Sequence, residues 1–325
     1  MRTPRPLRSG PVVCLGETMA ALAPEPLGSL DDADLLRVDI AGAESNVALY
    51  LADHGIPARW LSAVGDDPFG RRVRDRIAAG GVEVNGVRTD PDRPTGLLLK
   101  DPGAHGTRVH YHRGGSAASA LTPDLLDDPA MEGAALLHLS GITPALSPGC
   151  HALVERALRP DRTCPVSFDV NYRPALWTDR PAADILRPLA DRADIVLVGL
   201  DEAQALWGDG ITDAEGVRAF LSGPQVLVVK DGDREATAFT GSAAHSVPAL
   251  KVRVAEPVGA GDAFAAGFLS GLLRHLPVDH ALRLGHLTAA SALRVTADHG
   301  PLPDPGLVGA LLDADEDTWR ATVIA

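Results

Sequence analysis

The stretch EPVGAGDAF, residues 256–264, joins a glycine-rich turn to the start of an apolar helix. The helix continues as GAGDAFAAGFLSGLLRHL, which is rich in small residues. A helix start carries unpaired N–H groups and the positive end of the helix dipole, and glycines let an anion approach that backbone closely. Gly259, Ala260 and Gly261 are therefore predicted to form an anion hole for a phosphoryl group in transfer.

Asp262 follows this turn directly. A carboxylate at the helix start could accept the proton of a substrate hydroxyl and direct that oxygen at phosphorus. The lysine and the serine or threonine of a P-loop are missing, which argues against that class of phosphate site. Spacing alone leaves a second interpretation open, in which Asp262 only caps the helix and the glycines only form a tight turn.

The composition of the chain excludes some classes of partner. Its 325 residues include 30 Lys and Arg against 43 Asp and Glu, a net charge of −13, so we expect no binding to nucleic acid or to an anionic membrane surface. The apolar run after the basic N-terminus is broken at Glu17, so it is too short for the hydrophobic region of a signal peptide. No run approaches the length of a membrane-spanning helix. Cys14, Cys150 and Cys164 lack metal-ligand spacing, so we expect reduced thiols in a cytoplasmic protein.

Short apolar runs alternate with longer helical patterns along most of the chain. The runs PVVCLG, ARWLSAVG, ALLHLSG, PVSFDV, DIVLVG and QVLVVK are nearly continuous in apolar character, which is typical of strands buried in a parallel sheet. Helices are predicted between them, with Gly55 and Gly80–Gly81 as C-terminal signals and Ser147–Pro148 as an N-terminal one. The pattern predicts an α/β fold with a doubly wound, mostly parallel sheet flanked by helices.

Two segments, about 19–41 and 95–113, interrupt this alternation with strands that have no helices between them. They are separated in sequence by helical patterns, so we predict that they form a small separate sheet. A lid over the carboxyl ends of the main strands is its expected place. We find no repeat and no long linker, and we therefore expect a single domain over residues 11–325.

The two ends of the chain resemble the signatures of the ribokinase family of sugar and nucleoside kinases. GAGDAFAAGF is similar to the C-terminal signature, and AGAESNVALYLADHG followed by AVGDDPFG is similar to the N-terminal one. The resemblance covers about residues 12–300 and implies a ribokinase-like fold with a β-sheet lid. It also implies that Asp262 is the general base, that residues 259–261 form the anion hole, and that Gly42 and Asn46 lie near the sugar.

Three further stretches, HYHRGGSAASALTP, LHLSGITPALSP and DVNYRPALW, resemble the 2-keto-3-deoxygluconate kinases within that family. The resemblance implies that Tyr111 and Arg113 contact the substrate from the lid and that Arg173 reaches its carboxylate. Arginine offers a planar, bidentate partner for the carboxylate that a sugar acid has and a neutral sugar lacks. Taken singly, Arg113 could be a solvated strand residue and Arg173 one half of a surface ion pair, which are the more common fates of a lone arginine.

The nucleotide side is assigned by resemblance to the family's strand and turn at VVKDGDRE, residues 228–235. The predicted nucleotide-binding residues are Asn171, Tyr172, Arg173, Lys230, Asp231, Gly232, Glu235, Gly259 and Gly261. Asp298, in DHG, resembles an aspartate that approaches the substrate, although a plain turn before Pro301 explains it equally well. The implied cofactor is Mg-ATP, because magnesium is needed to neutralise the phosphate charge.

This sequence departs from the family pattern at several positions. Ala41 replaces the first of two glycines, and Leu98 stands where sugar-acid kinases often have a tyrosine. Gly199 replaces the asparagine of a metal-associated motif whose glutamate, Glu202, is retained, so Glu202 is predicted to bind metal only indirectly. Glu256 replaces an aspartate linked in relatives to a monovalent cation, so dependence on potassium stays open.

The expected function is ATP-dependent phosphorylation of the terminal, C6, hydroxyl of 2-keto-3-deoxygluconate to give 2-keto-3-deoxy-6-phosphogluconate, by a homo-oligomer. The alternative within the family is a fructokinase or ribokinase-type kinase of a neutral sugar. A nicotinamide-dependent oxidoreductase also fits the strand–helix alternation, but CLGETMA supplies no G-x-G-x-x-G after the first strand. Because fold alone does not decide function, a sugar sensor that has lost catalysis is a third alternative. The intact Gly-Ala-Gly-Asp argues against it.

Overall fold

A computed structural model of the protein describes residues 5, 7–103, 106–208 and 210–324. Residues 1–4, 6, 209 and 325 lie outside the described residues, as do two positions of the predicted segment 95–113, namely 104 and 105. In the described part of the chain, the strands are β1 Val12–Leu15, β2 Met19–Pro24, β3 Leu36–Ala41, β4 Ala58–Gly65, β5 Val87–Asp90, β6 Leu97–Gly103, β7 Gly106–His112, β8 Leu136–Ser140, β9 Val166–Asp169, β10 Ile195–Gly199, β11 Val226–Asp231, β12 Glu235–Thr240, β13 Ala243–Pro248, β14 Lys251–Val252 and β15 Val323–Ile324. The helices are α1 Ala43–Asp53, α2 Pro68–Ala79, α3 Thr143–Leu146, α4 Pro148–Ala157, α5 Ala182–Arg192, α6 Leu200–Trp207, α7 Ala214–Phe220, α8 Ala260–Leu273, α9 Val278–Leu293, α10 Pro305–Leu312 and α11 Glu316–Ala321.

The main sheet has the order β13-β12-β11-β10-β9-β8-β1-β4-β5. From β5 to β11 all neighbours are parallel, whereas β12 and β13 are antiparallel additions at one edge. The six apolar runs correspond to β1, β4, β8, β9, β10 and β11, as predicted. The chain winds outward in one direction from β1 to β4 and β5 and in the other direction from β8, so the order reverses between β1 and β8. Open sheets of this type bind ligands at the carboxyl ends of the strands beside such a reversal.

Helices cover both faces of the main sheet, which confirms the doubly wound fold. Val12 and Cys14 of β1 pack in the same core cluster as buried residues of α1, α8 and α9. Val13 and Leu15 point to the opposite face and pack in a cluster that contains residues of α4, α5 and α6. Successive residues of a strand point to opposite faces, so a strand that is apolar at every position is buried on both faces.

The predicted helix ends agree with the structure. The Ser147 side chain accepts a hydrogen bond from the Cys150 N–H and caps α4, with Pro148 as the first helical residue. Gly55 and Gly81 follow α1 and α2 with positive φ values of 73° and 81°, the backbone conformation that commonly follows a helix. Residues 262–271 of α8 are all buried, as its apolar sequence predicts. None of the helices in the described ranges combines the length and the hydropathy needed to cross a membrane.

The strands in segments 19–41 and 95–113 form a separate four-stranded sheet, hereafter the small sheet, with the order β3-β2-β6-β7. Strands β2 and β6 are parallel, and the other neighbours are antiparallel. Met19, Ala21, Ala41 and Leu98 form its own buried cluster. The combination of a large, mostly parallel sheet with a small separate one is the fold class that the sequence predicts.

Candidate active site

Asp262 lies in the first turn of α8 and is almost fully buried. Its Oδ2 accepts a hydrogen bond from Nδ2 of Asn46 at 2.9 Å, and its Oδ1 accepts one from Nδ2 of Asn171 at 3.2 Å. Burial raises the pKa of the Asp262 carboxyl to about 7, and the Asn46 hydrogen bond opposes that rise only in part. A carboxyl with a pKa near neutrality exchanges protons readily at physiological pH, which suits a general base.

The glycine turn before Asp262 packs closely against Asp298 and Lys230. Gly259 adopts φ 85°, and a Cβ at this position would lie 2.7 Å from the carbonyl oxygen of Asp298. Only glycine fits here without strain. Ala260 N–H donates to the Pro257 carbonyl at 3.4 Å, whereas a Cβ at Gly261 would lie 3.5 Å from Nζ of Lys230. The predicted anion hole therefore has a lysine ammonium facing it.

Lys230, at the end of β11, pairs with Asp169, at the end of β9. The distance from Lys230 Nζ to Asp169 Oδ2 is 3.0 Å, and both side chains are largely buried. Burial alone would lower the pKa of Lys230, but the carboxylates of Asp169 and Glu202 outweigh that effect and raise it. Lys230 is therefore cationic beside the glycine turn. The sequence reasoning missed Asp169, although it lies two residues before the predicted Asn171.

Glu202, retained from the metal-associated motif, makes hydrogen bonds to two backbone N–H groups. Its Oε1 accepts from the N–H of Tyr172 at 3.0 Å and its Oε2 from the N–H of Gly199 at 2.8 Å. Burial raises the pKa of Glu202, and Lys230 opposes the rise. Glu202 thus fixes the loop after β9 to the start of α6, the loop that carries Asn171 and Arg173.

Arg173 is the most accessible of the predicted substrate residues on the main body. Its side chain is 48% exposed, and its Nη1 lies 3.2 Å from the Tyr172 carbonyl and 3.7 Å from Glu202 Oε1. Its charge lowers the pKa of Asp262, so the guanidinium lies within electrostatic reach of that carboxyl. Arg173 is positioned to meet an anion that enters beside Asp262.

Arg113, which follows β7, is instead held in a buried ion pair. Its Nε donates to Glu17 Oε2 at 2.6 Å, and its Nη2 contacts the same oxygen. Glu17 also accepts from the hydroxyl of Ser116 at 2.5 Å, and the Arg113 side chain is 10% exposed. Tyr111, 42% exposed, lies with its ring 5.7 Å from the Arg113 guanidinium carbon. Glu17 is a second residue that the sequence reasoning missed, since it follows β1 and is far from Arg113 in the chain.

The turn into α1 brings Gly42 and Asn46 to the same region. Gly42 precedes α1, and a Cβ there would lie 2.5 Å from the Glu17 carbonyl and 2.6 Å from Thr18 Oγ1. This close approach explains the glycine and places Asn46, one turn into the helix, against Asp262. Ala41, the departure from the double glycine, is buried in the small sheet.

Glu44, also on α1, is a fully buried carboxyl that the sequence did not single out. Its Oε1 accepts from the hydroxyls of Ser140 and Thr143 at 2.7 and 3.0 Å, and burial raises its pKa. Its Oε2 has no hydrogen-bond partner within the described ranges. Ser140 ends β8, so Glu44 joins α1 to the reversal point of the sheet.

The turn after β11 borders a cavity of about 450 Å³, lined by Asp201, Asp231, Gly232, Asp233 and Arg234. Of the predicted nucleotide-binding residues, Asp231 and Gly232 lie on this cavity. Glu235 is opposite Asp231 in the β11–β12 ladder and is exposed. Within the ranges that the structure describes, no group of three or more His, Cys, Asp or Glu side chains is placed to hold a metal ion.

The small sheet contacts the main body at two further positions named from the sequence, Asp298 and Glu256. Lys100 of β6 donates from Nζ to Asp298 Oδ1 at 2.7 Å, and the hydroxyl of Thr107 of β7 donates to Glu256 Oε2 at 2.9 Å. Asp298 is also the residue whose backbone abuts Gly259. The small sheet is therefore linked to both sides of the glycine turn.

Comparison with known proteins identifies the family. Residues 10–305 match the family described as pfkB family carbohydrate kinase. The chain belongs to the pfkB family of carbohydrate kinases. It is 33% identical over 308 residues to a 2-dehydro-3-deoxygluconokinase of Bacillus subtilis strain 168, with 93% of this chain and 95% of the relative covered. It is 35% identical over 297 residues to a 2-dehydro-3-deoxygalactonokinase of Haloferax volcanii, with 88% of this chain and 92% of the relative covered.

Comparison with solved structures gives the same family. A PfkB protein from Polaromonas sp. JS666 matches with a TM-score of 0.82 and 34% identity, covering 92% of this chain and 99% of the other. The kinase family and the fold expected from the sequence are thereby confirmed. In this pfkB kinase, Asp262, the glycine turn and Lys230 lie together at the carboxyl ends of the strands.

Proposed function

We propose that this pfkB kinase transfers the γ-phosphoryl group of ATP to the terminal, C6, hydroxyl of 2-keto-3-deoxygluconate. The observation that carries the proposal is the setting of Asp262: a buried carboxyl with a pKa of about 7, at a helix start that opens onto a glycine turn and a lysine ammonium. The names of the matched relatives from Bacillus subtilis and Haloferax volcanii support a 2-keto-3-deoxy sugar acid as the acceptor.

The chemistry assigned to the site requires a base and a neutralised phosphate. Asp262 would take the proton of the C6 hydroxyl while that oxygen forms its bond to the γ-phosphorus and the bond from phosphorus to the β–γ bridging oxygen breaks, which releases ADP. The N–H groups of Gly259 and Gly261 and the ammonium of Lys230 would stabilise the charge on the transferring group, and the Ala260 N–H would join them by giving up its long, 3.4 Å bond to the Pro257 carbonyl. A cationic Lys230 facing the turn fits an anionic ligand.

ATP would enter as its magnesium complex, because its phosphate charge must be neutralised for transfer. Asn171, Tyr172 and Arg173 after β9, and Asp231, Gly232 and Glu235 around the next turn, are the proposed nucleotide contacts. Because both oxygens of Glu202 accept backbone N–H groups, its effect on magnesium would be indirect. Glu256 accepts from Thr107, and a potassium ion near it stays a proposal that activity in K⁺ against Na⁺ would test.

The sugar acid would lie between the small sheet and α1. Gly42, Asn46 and Asp262 would contact its hydroxyl groups, and Tyr111 and Arg113 would approach from the small sheet. Arg173 would pair with the carboxylate, for which its 48% exposed side chain is favourable, since its contact with Glu202 is long, at 3.7 Å. Asp298 would approach the substrate only if its bond to Lys100 leaves one oxygen available.

We propose that the small sheet is a lid over this site. Hydrogen exchange of residues 97–103 and 106–112 should slow when 2-keto-3-deoxygluconate is added at saturating concentration. Exchange that is the same with and without the sugar acid would count against the lid.

The protein is further proposed to be a homo-oligomer that works in the cytoplasm, where ATP is available and free thiols persist. Cys14, Cys150 and Cys164 are all buried and unpaired with one another. The exposed Leu36 on the edge strand of the small sheet offers apolar area to a second copy. Light scattering of the purified protein gives the mass directly, and a mass of one chain would contradict the homo-oligomer.

The experiment that tests the function is ATP consumption against a panel of acceptors: 2-keto-3-deoxygluconate, its 4-epimer, gluconate, fructose and ribose. The proposal expects turnover with the 2-keto-3-deoxy acids and formation of a 6-phosphate ester, identified by ³¹P NMR. Fructokinase or ribokinase-type activity is the second candidate. It would replace the first if a neutral sugar gave the highest kcat/KM.

A further inference from the structure

Lys100 is a lysine of the small sheet that is buried against the main body. Its side chain is 9% exposed, and that of its partner Asp298 is 7% exposed. Nζ donates to Asp298 Oδ1 at 2.7 Å and to the Thr296 carbonyl at 3.3 Å. Burying an ammonium is costly unless a carboxylate and further hydrogen bonds compensate it, so the position of Lys100 depends on Asp298.

The pair stands next to the proposed catalytic carboxyl. The carbonyl of Asp298 abuts Gly259 at the start of α8, and the charge of Asp298 raises the pKa of Asp262. Asp169 acts on Asp262 in the same direction. Two carboxylates thus repel the negative charge on Asp262.

Each of these carboxylates is paired with a lysine from a different sheet. Lys230 of the main sheet pairs with Asp169, and Lys100 of the small sheet pairs with Asp298. The other charged or titratable groups acting on or packed around Asp262 are Arg173 after β9, Tyr50 on α1, and His286 on α9, whose ring lies against Phe264 and whose pKa burial lowers to about 4. Lys100 is therefore the cation in this set that comes from the small sheet.

We propose that Lys100 is a positioning residue for phosphoryl transfer: by pairing with Asp298 it docks the small sheet beside the anion hole and offsets the repulsion between Asp298 and the ionised Asp262. The inference rests on the proposed function, in which Asp262 is the base. The general base becomes ionised more readily when the small sheet is docked than when Lys100 is absent from the site.

The neighbouring contacts support docking at this place. Thr107 bonds to Glu256, and Nη2 of Arg37 donates to Thr296 Oγ1 at 3.3 Å. Thr107 and Lys100 lie on the same face of the small sheet, because Lys100 is opposite Val109 and alternate residues share a face. All three contacts reach the segments that flank the glycine turn and Asp298.

The test compares Lys100→Met, Asp298→Asn and the double variant, with Arg108→Met as the matched control. Arg108 lies on β7 but on the opposite, exposed face of the small sheet, so its loss removes a charge without touching Asp298. The measurement is the acidic limb of the pH profile of kcat/KM for the sugar acid. A parallel ¹³C NMR titration follows the Asp262 carboxyl in the substrate-free protein, identified by its absence in Asp262→Asn.

We expect Lys100→Met to move the limb and the titration upward by about one pH unit, because Asp298 is left uncompensated. Starting from a pKa of about 7, that shift lowers the rate at pH 7 about fivefold and leaves the rate at pH 9 nearly unchanged. Asp298→Asn should move both downward, since Lys100 is then the uncompensated charge. The double variant should return close to the wild-type value, and Arg108→Met should not differ from wild type.

A purely structural role of Lys100 would lower activity at every pH without shifting the limb, and that result would overturn the inference. Shifts of the same sign in Lys100→Met and Asp298→Asn would overturn it as well. If Lys100→Met does not fold, the opposite shift predicted for Asp298→Asn still decides the matter. A wild-type protein inactive towards every acceptor would reject the proposed function, while the NMR titrations would still test the charge pairing.

Discussion

Nδ2 of Asn46 lies 2.9 Å from Oδ2 of Asp262, although 216 positions separate the two residues in the chain. This hydrogen bond joins the N-terminal signature, on α1, to the C-terminal signature, on α8. The two helices pack against each other on one face of the main sheet. The geometry fixes the carboxylate orientation from one side, and Asn171 fixes it from the other.

Asp262→Asn should reduce kcat by roughly 10²–10⁴, because asparagine keeps the shape but cannot accept a proton. Binding of ATP and of the sugar acid, measured by isothermal titration calorimetry, should change little. Turnover at the wild-type rate would remove Asp262 from the mechanism.

The raised pKa of Asp262 also predicts how stability depends on pH. The folded-state pKa of about 7 lies above the ordinary value of 3.8, so the native state holds this proton more tightly than the unfolded state. This contribution to stability is fully present below pH 3.8 and is lost as the pH rises through 7. Relative to Asp262→Asn, the free energy of unfolding of the wild type should therefore fall by about 4 kcal/mol between pH 4 and pH 8.

Urea unfolding of both proteins at several pH values measures this difference. The asparagine variant is the reference for the wild type, because other buried acids such as Glu44 titrate equally in both proteins. A difference that does not change with pH would contradict a strongly raised pKa.

Gly259→Ala and Gly261→Ala should have opposite effects on stability and the same effect on rate. Alanine at 259 is strained by φ 85° and by the Asp298 carbonyl, which should lower stability by about 1–2 kcal/mol. Alanine at 261 meets only Lys230 Nζ at 3.5 Å and favours the helix, so stability should hold or rise by up to about 1 kcal/mol. Both variants should lose kcat if the turn binds the phosphoryl group, and a fully active Gly261→Ala would argue against the anion hole.

Arg173→Ala should weaken sugar-acid binding while leaving stability almost unchanged, because the side chain is half exposed. Losing one partner of a charge-assisted pair costs roughly 2–5 kcal/mol, or about 30-fold to several thousand-fold in affinity. Lysine should restore only part of the loss, since it lacks the planar fork of arginine. Since Arg173 also adjoins the nucleotide residues, ATP affinity is measured in parallel. Equal losses for the sugar acid and for fructose would contradict a carboxylate contact.

Much of the fold could be predicted because the signals are local. Continuous apolar runs such as VVCL and IVLVG predict doubly buried strands, and glycine after a helical pattern predicts its end. Strands β12 and β13 were missed because EATAFT and AAHSVP mix small and polar residues and lack a long apolar run. β13 is the edge strand and is largely exposed, so it needs no such run, whereas β12 lies inside it and is buried mainly through small residues, which give a weak apolar signal.

The site was predictable only where its residues lie in short motifs. Asp262 and Asn46 were found because each lies in a signature. Lys100, Glu17 and Asp169 were not, because their meaning comes from partners that are distant in sequence, such as Asp298, which is 198 positions from Lys100. A lone lysine in a strand gives no sign that folding will bury it against a carboxylate.

The central claim, that the acceptor is a sugar acid, is tested most directly by competition. Equimolar 2-keto-3-deoxygluconate and fructose are offered with limiting ATP, and the ratio of the two phosphate esters, read by ³¹P NMR, gives the ratio of their kcat/KM values. A carboxylate contact of roughly 2–5 kcal/mol predicts about 30-fold or greater preference for the sugar acid. An equal mixture, or an excess of fructose phosphate, would contradict the claim.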